Sequence, residues 1–367
     1  READGRQPNG VAEEYAFFRL IFGALAGVSD ALSDEMLIAG TEAMTRFGYT
    51  TVQEGRATPD TMASMARVAA RGDLAVDLVA YPDMLMGEPE EPSRSYRDRY
   101  RVGGVKLTID GSPQGKTAWL SEPYHVPPEG QGADYRGYPA VDAQTVEKSV
   151  ARAFEQGWQI LVHANGDAAI DALIDAVAIA RVAYPDAEIR PVLIHGQTLR
   201  KDQVARLDEL RIFPSLFPMH TFYWGDWHRD SVLGPERAEN ISPTGWVRER
   251  GMMFGTHHDA PVALPDSMRV LSATVARTTR TGRVLGPEQR VDVATALRAM
   301  TIWPAWQHFE EKDKGSLEKG KLADLVVLSA NPLQTPPEQL VGLRVLATYK
   351  EGELIYELGP AGEGEGE

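Results

Sequence analysis

The chain has 367 residues, of which 38 are Lys or Arg and 53 are Asp or Glu, so its formal net charge at pH 7 is −15. This charge argues against nucleic acid and anionic membrane surfaces as partners, because both would repel it, and no apolar run reaches the roughly 18 residues that a membrane span needs. An apolar content of 43% is that of an ordinary soluble globular protein, and the lack of cysteine excludes disulfides and thiolate chemistry.

The N-terminal part of the chain reads as helix, helix, strand, helix, strand. Apolar residues at helical spacing, a Ser-Asp-Glu start and a Thr-Pro-Asp start indicate the helices. Runs that are β-branched or continuously apolar indicate the strands. The predicted segments are 11–27, 33–47, 49–53, 58–71 and 74–81.

A long segment without periodicity follows the next predicted strand. After a polar stretch at 88–101, residues 104–110 read as a strand, and residues 111–139 are rich in Gly and Pro. A loop of that length inside a compact domain is usually a functional lid or a binding loop. A helix predicted over 141–156 comes next.

Two short apolar runs each end in a histidine, and the chain is organised around them. They are 159–163, which ends in His163, and 191–195, which ends in His195. Each reads as a buried strand rich in Val, Ile and Leu. In a barrel of parallel strands the carboxyl ends carry the chemistry, so we expect both imidazoles at one rim.

The rest of the chain continues the alternation and then changes character. Alternating strands and helices predict a parallel sheet with right-handed crossovers. Residues 314–357 predict a small antiparallel β element, and the Gly/Glu-rich tail 358–367 is expected to be disordered, which leaves residues 1–313 for the barrel. The remaining predictions are helices at 167–183, 201–210, 243–250 and 291–308, strands at 212–216, 252–259, 323–328, 345–350 and 353–356, and an aromatic loop at 219–228.

The predicted strand ends put four side chains that could bind metal at equivalent positions. His163 and His195 lie about one βα unit apart, roughly 30 residues. Lys106 precedes His163 by one such unit and the long loop, and Asp259 follows His195 by two units.

Together these segments resemble the amidohydrolase superfamily, and within it the family-3 branch typified by YtcJ-like hydrolases. The similarity covers nearly the whole chain in the right order. The motifs that carry it are Gly-Val-Lys-Leu at 104–107, Asp-Gly-Ser at 110–112, Val-His-Ala-Asn-Gly-Asp-Ala-Ala at 162–169, Ile-His-Gly-Gln at 194–197, His-Asp-Ala-Pro-Val at 258–262 and the run at 314–328.

The resemblance implies a (β/α)8 TIM-type barrel beside a small β-sandwich, and hydrolysis of an amide or related C–N bond by a metal-activated water. It implies that His163 and His195 are the metal-binding histidines of strands five and six, and that Asp259 is the strand-eight aspartate. Lys106 matches the strand-four lysine that many relatives carry as a metal-bridging carbamate. The implied cofactor is a divalent metal, with Zn²⁺ favoured, as one or two ions.

The chain departs from the family pattern in two places. The strand-one His-x-His motif is absent from this sequence. We therefore expect strand one to be truncated, cleaved off or supplied by a separate chain, so that the barrel comprises strands two to eight. His258 stands where relatives commonly carry a small residue. His257 and His258 cannot both face the barrel interior, because neighbouring strand residues point to opposite faces.

The residue types suit the implied chemistry. Neutral imidazole and carboxylate are suitable ligands for Zn²⁺ and similar ions, and a bound metal lowers the pKa of its water to about 7. Asp259 is predicted to accept the proton of that water and pass it to the leaving amine. Lys106 contributes only as a carbamate or after losing its proton, and the sequence leaves both open.

Three polar side chains near strand ends have both a functional and a structural reading. His220 is predicted to bind substrate or to stabilise a developing oxyanion, and the alternative is a packed loop histidine. Asn165 and Asp167 are predicted to cap the helix that follows them. Asp167 is also a candidate for orienting His163.

Four further residues are predicted to contact substrate: Asp110, Trp119, Trp224 and Gln197. For Asp110 the alternative is a turn former, and for the tryptophans it is core packing. A weaker reading of the whole site is a metal-free, glycosidase-type barrel that uses Asp110 and Asp259 as a carboxylate pair.

A rival to the enzyme is a catalytically incomplete barrel that acts as a binding or regulatory module. The expected partners are a small-molecule substrate and, as a separate chain, the missing N-terminal segment. A homo-oligomer stays open. The sequence leaves the compartment unassigned, and we favour a soluble, cytoplasmic protein.

Overall fold

The centre of the computed structural model, which describes residues 10, 12, 15–25 and 27–359, is a set of parallel strands. Most of them are the continuous apolar runs that the sequence predicts, as expected of strands that are covered on both faces. Their bounds are β1 (Thr51–Ala57), β2 (Asp77–Pro82), β3 (Tyr100–Val102), β4 (Gly104–Thr108), β5 (Gln159–Ala164), β6 (Val192–His195), β7 (Phe213–Leu216) and β8 (Gly255–Thr256).

The sheet β1-β2-β3 and the sheet β4-β5-β6-β7-β8 meet at Gly103, which alone separates β3 from β4. The N–H of Gly103 donates to the carbonyl oxygen of Ala80 over 2.9 Å, and Asp83 forms a parallel bridge with Lys106. A Cβ on Gly103 would lie 2.5 Å from Val79 Cγ1, so this close approach requires glycine. The parallel strands therefore follow one another in sequence order, and the predicted α/β class is confirmed.

Helices alternate with these strands. Several begin at a side-chain cap: Thr58 and Thr61 form a capping box before α3, and the Asp142 carboxylate accepts the N–H of Thr145 in α4. None of the helices in the described part of the chain has the length and apolarity needed to cross a bilayer. Their bounds are α1 (Tyr15–Leu25), α2 (Asp30–Thr45), α3 (Pro59–Arg71), α4 (Ala143–Gln156), α5 (Asp167–Ala183), α6 (Lys201–Glu209), α7 (Met219–Trp227), α8 (Pro235–Ala238), α9 (Thr244–Glu249), α10 (Ser267–Val275), α11 (Val293–Met300) and α12 (Ile302–Gln307).

Alternate residues of the central strands build two apolar layers. Ile160 and Val162 of β5 belong to the large outer core that contains the buried faces of α4 and α5. Leu161 and Ile194 belong to an inner cluster with Tyr81. Burying each such aliphatic side chain is worth about 1.5–3 kcal/mol. The inner layer lies directly below the histidines at the strand ends.

The C-terminal region forms a separate antiparallel sheet in the order β11-β10-β9, with β9 (Leu325–Leu328), β10 (Val345–Lys350) and β11 (Glu353–Glu357). Ion pairs attach it to the amino end of β2, since Asp77 receives Lys314 Nζ at 2.5 Å and Lys350 Nζ at 3.0 Å. The boundary at residue 313 and the completion of this sheet to a sandwich stay predictions. The predicted disordered tail falls, from residue 360 on, outside the described residues.

Two predicted segments were wrong in type or length at the carboxyl side of the strands. The aromatic loop at 219–228 is helix α7, followed by a π-helical turn over His228–Val232. The buried residues of α7 include the polar His220 and Thr221, whereas Trp227 is exposed, so its sequence has no apolar period to reveal a helix. The strand at 252–259 is only Gly255–Thr256, which pair with Ser215 and Leu216 at the end of β7.

Three further segments also differ from prediction. The helix at 291–308 breaks at Thr301, where φ is −131° and ψ −91°. Since proline is tolerated only in the first turn of a helix, Pro304 requires this restart as α12. The polar stretch at 88–101 contributes to β3, and helix α10 was not predicted.

Candidate functional site

His163 and His195 meet at the carboxyl ends of β5 and β6. Their ring centroids are 4.5 Å apart and the ring planes are nearly perpendicular. Burial lowers the pKa of His195 to about 3 and that of His163 well below its ordinary value, so both imidazoles are neutral at pH 7. A neutral imidazole has a free nitrogen lone pair and can bind metal.

The backbone at His195 is what turns its ring toward His163. In the β5–β6 register His195 pairs with Ala164, whereas His163 pairs with Ile194, so a regular strand would point the two histidines to opposite faces. His195 instead has a φ of 76°, in the left-handed region that a bulky residue rarely adopts. Strain of this kind is typical of functional positions.

Each of the two histidines has a hydrogen-bonding neighbour that fixes its ring. Asn165 Nδ2 lies 2.7 Å from His163 Nε2 and also donates to the carbonyl oxygen of Gly111 over 2.9 Å. His195 Nδ1 lies 3.0 Å from His257 Nε2. The second nitrogen of His195, Nε2, is therefore the one left for a metal.

Lys106 lies on the same face of the sheet as His163, two residues deeper, because it pairs with Leu161 and Thr108 pairs with His163. It is 5% exposed. Burial lowers its pKa to about 8, against the opposing attraction of Asp259 and two other acidic groups. A substantial fraction of Lys106 is thus uncharged near pH 8, the form that can react with CO2 to give a carbamate.

Asp259 follows β8 and is half-buried, with a φ of 56°. Its charge acts on the pKa of Lys106, of His257 and of Glu54, so it shares the mouth of the site with them. His163, His195 and Lys106 are therefore on one side of the sheet, and Asp259 lies within electrostatic range of Lys106. Within the described residues, however, no three His, Asp or Glu side chains form a group that could hold a metal ion.

His220 lies at the start of α7 and is 3% exposed. Its ring packs edge-on to Phe217 and against Trp224, with centroid distances of 4.7 and 4.8 Å. His220 Nδ1 lies 3.0 Å from His228 Nε2. Burial is the main cause that holds the pKa of His220 well below its usual range, so the ring is neutral.

Gln197 is fully buried beside the strand end of β6. Its Oε1 accepts a hydrogen bond from Ser242 Oγ over 2.8 Å, while its Nε2 has no partner among the described residues. A buried amide donor without a partner is costly. It is therefore consistent with the predicted contact to a bound molecule, which stays a prediction.

Asp110 organises the long loop. Its carboxylate accepts the backbone N–H of Trp119 at 2.9 Å, of Asn165 at 2.9 Å and of Gly166 at 2.8 Å. It thereby joins the loop to the turn between β5 and α5, and Trp119 is half-buried at that junction. The predicted substrate contacts of Asp110 and Trp119 stay predictions.

The helix-cap interpretation of Asp167 was wrong. Gly166 is the N-cap of α5, and no side chain caps it. The Asp167 carboxylate instead receives the Ser121 backbone and side chain and Arg200 Nη1. Asn165, and not Asp167, contacts His163.

Two residues near this site, His257 and Glu54, were not predicted from the sequence. His257 contacts His195, whereas the ring of His258 packs toward Tyr49 at 5.3 Å. Glu54, on β1, lies within electrostatic range of Lys106, and burial raises the pKa of its carboxyl. The adjacent His257-His258 pair was the only available signal, since one of two neighbouring strand residues must point inward.

A protein-family model described as "Amidohydrolase family" matches residues 1–356. The chain is 27% identical over 259 residues to the Bacillus subtilis (strain 168) protein named as amidohydrolase YtcJ, covering 70% of this chain and 47% of that protein. It is 31% identical over 218 residues to N-substituted formamide deformylase of Arthrobacter pascens, covering 58% of this chain and 39% of that protein. The chain thus spans about half or less of these curated relatives.

A similar fold is found among solved structures. An uncharacterized metal-dependent hydrolase from Pyrococcus horikoshii OT3 superposes with a TM-score of 0.74 at 22% identity, covering 87% of this chain and 64% of that one. A second, from Pyrococcus furiosus, has a TM-score of 0.71 at 24% identity. These likenesses confirm the predicted barrel fold.

Proposed function

Because the chain belongs to the amidohydrolase family, we propose that it is a metal-dependent hydrolase that cleaves an amide or related C–N bond. The observation that carries the proposal is the meeting of two neutral imidazoles, His163 and His195, with centroids 4.5 Å apart at adjacent strand ends. Each neutral imidazole has one ring nitrogen with a lone pair, so two such rings this close together can bind one divalent metal between them.

His163 and His195 would hold the metal, with Lys106 as a carbamate and Asp259 completing the set. Nitrogen and oxygen donors of this kind suit Zn²⁺, as one or two ions. When bound, a divalent metal lowers the pKa of a water toward about 7 and polarises the carbonyl under attack. The donor types suit such an ion, provided that Lys106 has lost its proton, as its pKa of about 8 permits.

Asp259 would move the proton. It is half-buried and within electrostatic range of Lys106 and His257, so it would lie close to the ligand positions. As a carboxylate it takes the proton of the attacking water and returns it to the leaving amine nitrogen. The left-handed backbone at Asp259 fixes the direction in which the carboxylate leaves β8.

His220 would assist at the carbonyl oxygen. A neutral imidazole has one N–H, and with His220 Nδ1 occupied by His228 the other nitrogen is available to donate to a developing oxyanion. Trp224 and Gln197 would contact the acyl or amine substituent. Since the related Arthrobacter protein is named as an N-substituted formamide deformylase, N-substituted formamides and N-acyl amines are the first substrates to test.

The test is hydrolysis of N-benzylformamide and of N-acetyl amino acids by the purified chain after metal removal and after reloading with Zn²⁺. The proposal predicts amine release that chelation abolishes and Zn²⁺ restores, and that His163→Ala eliminates. Turnover that survives chelation would refute metal dependence. Metal binding with no turnover of any probe would favour the rival, a binding or regulatory barrel.

A further inference from the structure

We propose that His257 is a positioning residue that holds His195 ready for metal, and that Ser215 in turn holds His257. The inference rests on the proposed function only in that His195 is taken as a metal ligand. Neither His257 nor Ser215 would bind the metal itself.

Three side chains, at or next to the ends of three neighbouring strands, contact one another in series. His195 Nδ1 lies 3.0 Å from His257 Nε2, and His257 Nδ1 lies 3.0 Å from Ser215 Oγ. Ser215 is 7% exposed. Ser215 pairs with Ile194, which pairs with His163, so these contacts run along the inner face of the sheet.

The hydrogen positions in these contacts follow from the need for His195 Nε2 to be free for metal. A neutral imidazole that binds metal through Nε2 carries its hydrogen on Nδ1. His195 Nδ1 then donates to His257 Nε2, and His257, whose own hydrogen is on Nδ1, donates to Ser215 Oγ. The alternative, with His257 donating to His195 Nδ1, puts the hydrogen of His195 on Nε2 and blocks the metal.

The surroundings of His257 hold its ring in place. Its backbone N–H donates to the carbonyl oxygen of Leu216 over 3.0 Å, which continues the β7–β8 pairing by one residue. The ring of Phe217 packs on His257 at 5.1 Å and on His195 at 6.2 Å. His257 thus has little freedom to turn away from His195.

His195 needs such a support more than His163 does. Its left-handed φ of 76° places its side chain where strand pairing alone would not. Residues that contact a metal-binding histidine through its second nitrogen fix its tautomer and orientation, and their loss typically weakens metal binding by 10–100-fold.

The first test is the Zn²⁺ dissociation constant, measured by competition with a chromogenic chelator. His257→Leu should weaken Zn²⁺ binding by about 10–100-fold. His257→Gln should retain most of the affinity, because its amide oxygen can accept the His195 N–H. The matched control is His258→Gln, one residue along and directed at Tyr49, which should bind as wild type does.

Unchanged affinity in His257→Leu would overturn the proposal, and so would an equal loss in His258→Gln, since that would indicate a general disturbance of the strand end. Should His257→Leu fail to fold, Ser215→Ala removes only a hydroxyl and should weaken Zn²⁺ binding several-fold. Wild-type affinity in Ser215→Ala would then overturn the proposal.

The second test needs no metal. With ¹⁵N-labelled histidine and a His195→Gln spectrum for assignment, NMR should find His195 protonated at Nδ1 in the metal-free protein and a mixture of tautomers in His257→Leu. Identical tautomers in both proteins would overturn the proposal. If the wild-type chain binds no Zn²⁺, the proposed function fails, and this measurement still tests the role of His257.

Discussion

Lys106 is a basic side chain that lies almost fully buried at the site. It is 5% exposed, and burial lowers the pKa of its ammonium to about 8, so roughly half of the side chains are neutral at that pH. A neutral amine attacks CO2 and loses a proton to become a carbamate. This converts a side chain that repels metal into an oxygen ligand.

We therefore predict that metal content depends on bicarbonate. Zn²⁺ uptake by the metal-free protein at pH 8 should rise by at least twofold when bicarbonate is added to CO2-depleted buffer, and ¹³C-bicarbonate should give a carbamate resonance. Lys106→Ala should give no resonance and no bicarbonate response. A carbamate signal that persists in Lys106→Ala would assign it to another amine.

His228 should act on catalysis through His220. Within the described residues His228 Nδ1 is buried and has no partner. A lone acceptor is less costly there than a lone donor, so the hydrogen belongs on Nε2, pointing at His220 Nδ1 over 3.0 Å. The hydrogen of His220 is then on Nε2, the nitrogen that does not contact His228.

His228→Phe should accordingly lower kcat by about tenfold with little change in KM, because the N–H of His220 is needed mainly for the transition state. Steady-state kinetics on an N-acyl substrate measure both constants. A change confined to KM would instead place His220 in ground-state binding, and an unchanged kcat would remove it from catalysis.

Among the elements, the long loop gains its order from Asp110. Three backbone N–H groups converge on its carboxylate, from Trp119, Asn165 and Gly166. Asp110→Asn replaces one acceptor oxygen with an NH2 group, which leaves a buried donor unpaired at a cost of about 1–3 kcal/mol.

The expected result for Asp110→Asn is a free energy of unfolding lower by that amount in urea titrations, together with faster proteolytic cleavage within 111–139. If Asp110 is only a substrate contact, KM should rise while stability and cleavage stay at the wild-type level. The two measurements together separate the structural reading from the functional one.

Sequence patterns predicted the strands that are buried along nearly their whole length. The runs that form β5 and β6 have a continuous apolar centre that ends at a histidine, so their bounds could be predicted to within a residue. Helix α7 could not, because its buried residues include polar ones and its aromatic residues follow no helical period. The length of β8 could not either, since it depends on where β7 ends.

At the site, the order of the strands predicted that His163, His195, Lys106 and Asp259 would share one rim. It could not predict the contact between His195 and His257. That contact depends on a left-handed backbone at His195. The residue types around this position do not predict that conformation. Glu54 was missed because its strand, β1, has no apolar alternation around it.

For the molecule as a whole, buried neutral histidines should make the fold sensitive to acid. Burial lowers the pKa of His228 and of His308 from 6.5 to about 3. Below pH 6.5 the unfolded chain takes up protons that the native protein does not, so stability falls as pH falls toward 3. At pH 5 the loss is about 2 kcal/mol for each of these groups.

Urea unfolding at pH 7.5 and pH 5 measures this loss. The free energy of unfolding should drop by several kcal/mol, and the drop should be about 2 kcal/mol smaller in His308→Gln, which keeps an N–H donor for the Tyr81 hydroxyl oxygen. Equal stability at the two pH values would show that these histidines titrate normally in the native protein.

The central claim is that the imidazoles of His163 and His195 bind a divalent metal together. Elemental analysis of the protein after equilibration with Zn²⁺ and desalting tests it most directly, with His258→Ala as the matched control. We predict one or two equivalents of metal in wild type and control, and less than about a tenth of an equivalent in the double variant His163→Ala/His195→Ala. Stoichiometric metal in the double variant would contradict the claim.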